Sequence, residues 1–338
     1  MPVQLSLAIT SNPRTRPILD GTVKIDGIDL VPTVMFPSEM FWRQLKFQDF
    51  DVSEMSLSSL MLATAQGNED WAGIPIFTTR KFFHTDIFVR KAAGINEPKD
   101  LKGKRAGVPE FQQTAALWTR AVLQHEYGVY QSEFEHWMER LPELSHASGT
   151  TGGASSLNPP AGTTIKQIPI EKSLGSMIVS GEIDAVYHYY DHRREPKTLE
   201  RSTVDLRNHP DVKMLFPNPV AEGVRFYQKT GMFPINHGMA VRREIAERHP
   251  WIALNLIKAF NKANEIAERH RMDHVQYHVW TGHISQDAGK AMREPVLKHG
   301  IKANRKTLEA TAVYSHEQGL TPRVMKLEEI FAASTLDS

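Results

Sequence analysis

The sequence contains no cysteine. Disulfides, a thiolate nucleophile and any zinc site built on sulfur are thereby excluded, though the absence does not fix a compartment. An excess of either charge is also lacking: 40 Lys and Arg stand against 39 Asp and Glu, a net charge of +1. So close a balance supplies no long-range field, and neither nucleic acid nor a membrane is expected as a partner. No apolar run approaches the roughly 20 residues that a bilayer crossing needs. No basic stretch, apolar core and small-residue cleavage site precede the first strand-like run at 3–9, so a cytoplasmic protein is expected.

What is present is a chain of 338 residues with 41% hydrophobic side chains, enough for two lobes with buried cores. Strand-like runs at 3–9, 23–34, 50–55, 74–77 and 87–89 enclose helical patterns after Ser11-Asn12-Pro13 and Pro37-Ser38-Glu39. That alternation predicts an α/β fold with a parallel sheet. A second unit repeats the pattern: strand 104–108, a helix opened by Pro109, strand 165–170, helix 173–180 and strand 183–187. Between them, residues 145–164 are rich in Gly, Ser, Thr and Pro and read as a long inserted loop. The chain then returns to the first lobe through the strand-like 233–241, and Pro250 opens a long helix. The expected division is 1–86 plus 232–338 for one lobe and 87–231 for the other, with a ligand cleft between them. Ligands of open α/β sheets sit beyond the carboxyl ends of strands, where helix N-termini point.

That rule selects the candidate residues. Arg14 and Arg16 follow the first strand, and an arginine fork matches a carboxylate bidentately. Ser56 and Ser58 end the third strand, and alternation turns them to the same side as Glu54. Arg80 and His84 lie at the first crossing between lobes; Arg80 suits a carboxylate, and His84 either acid–base work or a pair with Asp86. Phe111, Gln112, Gln113 and Thr114 open the first helix of the second lobe, where free N–H groups favour an anion and the ring can stack on an aromatic ligand. His237 lies at the second crossing. His188 and His192 flank Asp191 in a loop, where spacing has no helical meaning, and His270, His274 and His278 recur every fourth residue on a highly charged helix, more in keeping with a solvated face than with a chelate. No ligand set for a metal emerges. No cofactor is expected to be required, with a divalent metal left open.

Several segments together resemble the 4,5-dihydroxyphthalate decarboxylase family. They are Arg14-Thr15-Arg16-Pro17-Ile18-Leu19-Asp20-Gly21, Phe50-Asp51-Val52-Ser53-Glu54-Met55-Ser56-Leu57-Ser58-Ser59, Gly107-Val108-Pro109-Glu110-Phe111-Gln112-Gln113-Thr114-Ala115, Thr230-Gly231-Met232-Phe233-Pro234-Ile235-Asn236-His237 and Arg248-His249-Pro250-Trp251. They occur in order over residues 1–270. The resemblance implies a type II periplasmic-binding-protein-like fold put to use as a cytoplasmic enzyme. Its activity would be non-oxidative decarboxylation of a hydroxylated aromatic acid, with 4,5-dihydroxyphthalate the first choice of substrate and 3,4-dihydroxybenzoate and carbon dioxide as products. The segment Tyr187-His188-Tyr189-Tyr190-Asp191-His192-Arg193-Arg194 and the 145–164 loop depart from it, which places the exact acid in question.

Such a reaction needs a general acid for the ring carbon, for which His237 is the first candidate and His84 or His188 the reserve. Arg14, Arg16 and Arg80 would clamp carboxylates; Ser56, Ser58 and the 111–114 segment would hold the remaining oxygens and the ring. The expected partner is a small aromatic carboxylate, and a homo-oligomer is left open. The rival reading is a solute-binding protein that captures a small organic anion without catalysis, since one fold serves both uses. A hydrolase or metal-dependent lyase of the same fold is a third.

Overall fold

The computed structural model describes residues 2–146, 157–194, 199–292 and 297–338. Along the chain come β1 (Val3–Ile9), α1 (Arg16–Leu19), β2 (Ile28–Val34), α2 (Pro37–Phe47), β3 (Val52–Ser56), α3 (Leu57–Ala65) and β4 (Trp71–Arg80). After them come β5 (Ile87–Arg90), β6 (Arg105–Val108), α4 (Thr114–Tyr127), β7 (Glu135–Met138), β8 (Thr164–Gln167), α5 (Leu174–Ser180), β9 (Ala185–Tyr187), β10 (Val212–Met214) and α6 (Pro219–Thr230). The chain closes with β11 (Ile235–Arg242), α7 (Arg243–Arg248), α8 (Trp251–Trp280), α9 (Gln286–Ala291), α10 (Arg305–Glu317) and α11 (Leu327–Ile330). Of the long loop expected at 145–164, residues 147–156 lie outside the described residues.

Two sheets result, ordered β2-β1-β3-β11-β4 and β10-β5-β9-β6-β7-β8. Neither is purely parallel. β1 pairs parallel with β2 and β3, but β11 is antiparallel to both β3 and β4. The expectation of a parallel sheet fails because β4 carries the chain out of the first lobe and β11 carries it back beside β4. Two crossing strands laid side by side must run in opposite directions.

Burial explains why these segments pair. Leu5, Leu7, Ile9, Ile74 and Val241 form one core with the helical stripe Ile252, Leu256, Ile257, Phe260 and Ala263 of α8. The far half of α8 leaves this core, and His270, His274 and His278 are exposed on it. Among the described residues no cluster of three or more His, Asp or Glu gathers as a metal site. On the other face, Met40, Phe41, Leu60, Met61 and Phe77 pack with Leu308 and Phe331. Gly73 is where this lobe tolerates no side chain, because a Cβ there would stand 2.8 Å from the Ile330 carbonyl oxygen. In the second lobe Val89, Ala106, Val108, Ala116 and Leu123 are the centre. Among the described residues no helix is long and apolar enough to cross a membrane.

The boundary that matters most is the start of α4. The sequence pattern sets it at Pro109, yet the helix begins at Thr114 with Gln113 as its N-cap. Residues 109–113 instead run as a buried loop, because Glu110 is drawn onto Arg140, the Ser145 hydroxyl and the His146 N–H.

Candidate active site

β3 is buried at all five positions, yet it carries Ser53, Glu54 and Ser56. A carboxylate inside a sheet must be paired or protonated. Glu54 is fully buried and takes four hydrogen bonds. His237 Nδ1 lies 2.6 Å from Oε1 and Thr79 Oγ1 3.4 Å; Thr10 donates its backbone N–H (2.9 Å) and its hydroxyl (2.7 Å) to Oε2. Burial alone would push this carboxyl up, but the bonds from His237 and Thr10 outweigh it and hold the group below the usual carboxylate range.

The register places His237 there. It stands opposite Ser56 in the β11–β3 ladder, so Glu54 is its diagonal neighbour on the same face. Pairing of β11 with β4 breaks register on both sides of His237. Such irregularities bend a strand and re-aim its side chains, and they recur beside active sites. With Nδ1 taken by Glu54, the other ring nitrogen has Asn236 Nδ2 at 2.7 Å. Phe41 meets the ring edge-on at 4.8 Å.

His237 opens onto a narrow cavity between the lobes. Pro37, Ser38, Phe41, Ser56, Asn236 and His237 line it from the first lobe, and Gln113, Thr114, His146, His188 and Tyr190 from the second. Three helices begin at its wall: α2 with Pro37 and Ser38, α3 with its N-cap Ser56, and α4 with its N-cap Gln113 and Thr114. Each N-terminus carries roughly half a positive charge, so three together favour a carboxylate without any basic side chain. Gln113 adds a buried amide oxygen with no hydrogen-bond partner among the described residues.

The cavity measures about 20 Å³, room for a single water. The lobes meet tightly across it. Ser58 donates its hydroxyl to the Gln112 carbonyl (2.6 Å) and its N–H to Thr114 Oγ1 (2.9 Å). Trp42 Nε1 donates to the Glu143 carbonyl at 2.9 Å, and His146 Nε2 lies 3.1 Å from the Ser38 carbonyl.

The predicted residues divide accordingly. His237, His188, Ser56, Gln113 and Thr114 reach the cavity wall. Ser58 does not; it clasps the lobes. The arginines expected as clamps are engaged elsewhere. Arg14 donates to the carbonyls of Phe77, Thr78 and Leu297 and to Asn264, and burial pushes it down to about 10. Arg80 donates to the carbonyls of Phe233 and Lys298 and to Asn304, and burial pushes it down to about 9. Both stay cationic at neutral pH, and both brace backbone at the crossing instead of facing the cavity. Arg16 is exposed on α1. His84 is buried with Nε2 3.0 Å from Glu222, a carboxylate also held by Tyr127 and Arg225. Phe111 lies under the Arg120 guanidinium at 3.7 Å and, with Gln112, lines a separate cavity of the second lobe.

Glu54's partnership, Asn236, His146 and Tyr190 were not among the predicted site residues. Glu54 was the one with a signal, since alternation set it on the side of Ser56. His146 lies in the stretch read as an inserted loop, and nothing local marks it. His146 and His188 are both buried, and burial depresses both, helped by Arg140 for the first and Lys81 for the second; His188 falls to about 3. Both are therefore neutral at physiological pH. His237 is then the imidazole of the cavity hydrogen-bonded through its ring to a carboxylate, whereas His146 Nδ1 stands 3.5 Å from Glu110 without a hydrogen bond.

No protein-family model matches the chain. Among solved structures, the periplasmic aliphatic sulphonate binding protein of Escherichia coli superposes with a TM-score of 0.53 at 13% identity, over 98% of this chain and 92% of that one. The alkanesulfonate-binding protein of Xanthomonas axonopodis pv. citri gives 0.52 at 12% identity, over 99% and 98%. These likenesses establish the periplasmic-binding-protein fold. Among curated proteins, a 4,5-dihydroxyphthalate decarboxylase of Comamonas testosteroni is 34% identical over 339 residues, covering 99% of this chain and 98% of that protein. Another, from Pseudomonas putida, is 35% identical over 226 residues, covering 67% of this chain and 82% of that protein. With identity at this level sustained from end to end, the chain belongs to the 4,5-dihydroxyphthalate decarboxylase family.

Proposed function

We propose that this protein decarboxylates 4,5-dihydroxyphthalate to 3,4-dihydroxybenzoate and carbon dioxide, with His237 as the acid that protonates the ring. Kinship supports the reaction. The Glu54–His237 pair on the cavity wall is the observation that carries the mechanism.

The chemistry sets two demands on the cavity, and it has a feature for each. The substrate's carboxylates need positive potential, which the N-termini of α2, α3 and α4 provide. The ring carbon that bears the departing carboxylate needs a proton. The Nδ1 side of His237 is committed to Glu54, so the mobile proton belongs on Nε2. The para hydroxyl lends an electron pair to the ring as the proton adds. The carbon–carboxylate bond then breaks, its electron pair restores the aromatic ring, and carbon dioxide leaves. One proton is consumed per turnover and is replaced from water at Nε2. Glu54, ionised throughout, offsets the charge of the imidazolium each time it forms.

A cavity of about 20 Å³ does not admit a benzene ring, which needs about 150 Å³. The lobes must part for entry, releasing the Ser58 and His146 contacts, and re-close on the substrate. Closure excludes water from the carbon to be protonated.

The test is direct. Purified protein is mixed with 4,5-dihydroxyphthalate without added metal while ring absorbance and carbon dioxide are followed. Conversion to 3,4-dihydroxybenzoate is expected. In His237→Asn, kcat should fall about 10²- to 10⁴-fold with substrate binding changed only a few-fold. Tight binding without conversion by the unaltered protein would favour a solute-binding role instead.

A further inference from the structure

The substrate of the proposed reaction has two unlike ends: two carboxylates on one edge of the ring and two hydroxyls on the opposite edge. The helix N-termini answer the first. The second needs a neutral group that can both give and take a hydrogen bond, because a phenol hydroxyl is donor and acceptor at once. We infer that Tyr190, held by His188, reads a ring hydroxyl and is the residue by which the site separates dihydroxyphthalate from phthalate itself. The inference rests on the decarboxylase reading for its choice of ligand.

Four observations carry it. Both side chains line the cavity, and both come from the second lobe, directly after β9. The Tyr190 hydroxyl lies 2.8 Å from His188 Nε2, so the pair passes a hydrogen bond from one to the other. The Tyr190 ring meets Phe36 of the first lobe edge-on at 5.6 Å, which seats it at the closing seam and not on the outer surface. Lastly, His188 holds a left-handed backbone with φ of 59°, one of two non-glycine residues with positive φ among the described residues. Histidine is among the non-glycine residues that enter this region, at some cost in backbone energy, and such positions gather at ligand sites.

Charge points the same way. Burial keeps the His188 ring neutral. Among the described residues, Asp86 takes Lys81 at 2.9 Å and Arg207 at 3.1 Å, and the buried Arg140 is held between Glu110 and Glu200. A neutral phenol–imidazole pair does not balance a carboxylate, but it satisfies a hydroxyl. A ligand without the hydroxyl forgoes the hydrogen bond that this half-buried pair offers, which a hydrogen-bonding site penalises.

The experiment compares wild type and Tyr190→Phe on two ligands: kcat/KM for 4,5-dihydroxyphthalate and the inhibition constant of phthalate, which lacks both hydroxyls. The phenylalanine variant should lose about 10- to 100-fold on the dihydroxy acid and stay within about two-fold on phthalate. His188→Asn should shift the ratio in the same direction, since asparagine tolerates the left-handed backbone, and it supplies the answer should the first variant not fold. Equal losses on both ligands, or no loss on either, would overturn the inference. If wild type fails to turn the dihydroxy acid over, calorimetric binding of the same two ligands replaces the kinetics. A hydroxyl preference that vanishes in Tyr190→Phe then upholds the role of Tyr190 while the decarboxylase reading falls, and a preference unchanged by the substitution sinks both.

Discussion

Replacing Glu54 by glutamine removes one charge and almost no volume, and the local geometry dictates how the amide must sit. It presents its NH2 either to Thr10 or to His237. Thr10 points a backbone N–H, which cannot turn away, at Oε2 from 2.9 Å. The NH2 is therefore driven to the Oε1 side, where His237 Nδ1 lies at 2.6 Å. Nδ1 must then accept, so the ring's single proton moves to Nε2, where Asn236 Nδ2 already lies at 2.7 Å. The variant has the wrong tautomer and no anion beside the imidazolium. In a fully buried site each loss is large: an Asp-to-Asn change behind a catalytic histidine costs about 10⁴ in kcat. Here kcat should fall about 10³-fold, which is ~4 kcal/mol of barrier. KM should move less than about three-fold, because Glu54 does not line the cavity. Steady-state kinetics give the split, and nitrogen NMR of labelled histidine reads the tautomer. Glu54→Asp, which keeps the charge, should recover part of the rate. A kcat within ten-fold of wild type in Glu54→Gln would refute the reasoning.

The same carboxylate sets a pH dependence. Its folded-state pKa lies below the unfolded value of about 4.3, so its contribution to stability is present above that value and is lost as pH falls through the lower one. The stability gap between wild type and Glu54→Gln in urea should hold from pH 7 to 5 and shrink below about pH 4; a gap constant to pH 3 would contradict it. His84→Ala should cost about 3 kcal/mol in urea unfolding, since it strips a buried partner from Glu222, and leave kcat within about three-fold; a kcat loss of two orders would return His84 to the mechanism. Arg14→Lys should cost about 2 kcal/mol in the same assay, because a single ammonium cannot serve the three carbonyls and Asn264, with KM little changed. Thr114→Val removes the acceptor of the Ser58 N–H and should raise KM about ten-fold by loosening closure.

Sequence patterning located most of the fold because the fold rests on patterning. The strand at 3–9 and the return strand through His237 show as apolar runs bounded by turn residues, and α8 as a helical stripe behind Pro250. What escaped had no local signal. β7 and β10 are short strands of four and three residues in which the sheet supplies the preference. The start of α4 was displaced because Glu110 has buried partners thirty and more residues away. The arginines misled for a related reason. Strand-end position and charge make Arg14 and Arg80 look like carboxylate clamps, but a guanidinium has five donors and satisfies backbone carbonyls as readily. Only the third dimension shows that the crossing strands and the 297–298 segment leave carbonyls at that spot. The position of His237 on the cavity wall, by contrast, was legible, because a crossing strand has to border the cleft.

The separation between bracing and binding suggests how one scaffold serves both capture and catalysis. Helix N-termini bind an anion through backbone groups, so an anion site built on them survives wide change in side chains. Chemistry needs something more local: a proton held at one fixed place. The crossing strand is where that can be added at least structural expense, since its side chains already face the cleft and its backbone is pinned by both neighbours. A carboxylate two residues from the end of β3 and a histidine opposite that end suffice, provided that the carboxylate is buried deeply enough to stay out of reach of the substrate. Glu54 meets that condition. Its ligands are Thr10, Thr79 and His237, and all of them belong to the first lobe. The Glu54–His237 pair is thus assembled within one lobe, so in the proposed mechanism closure has only to deliver the ring to it.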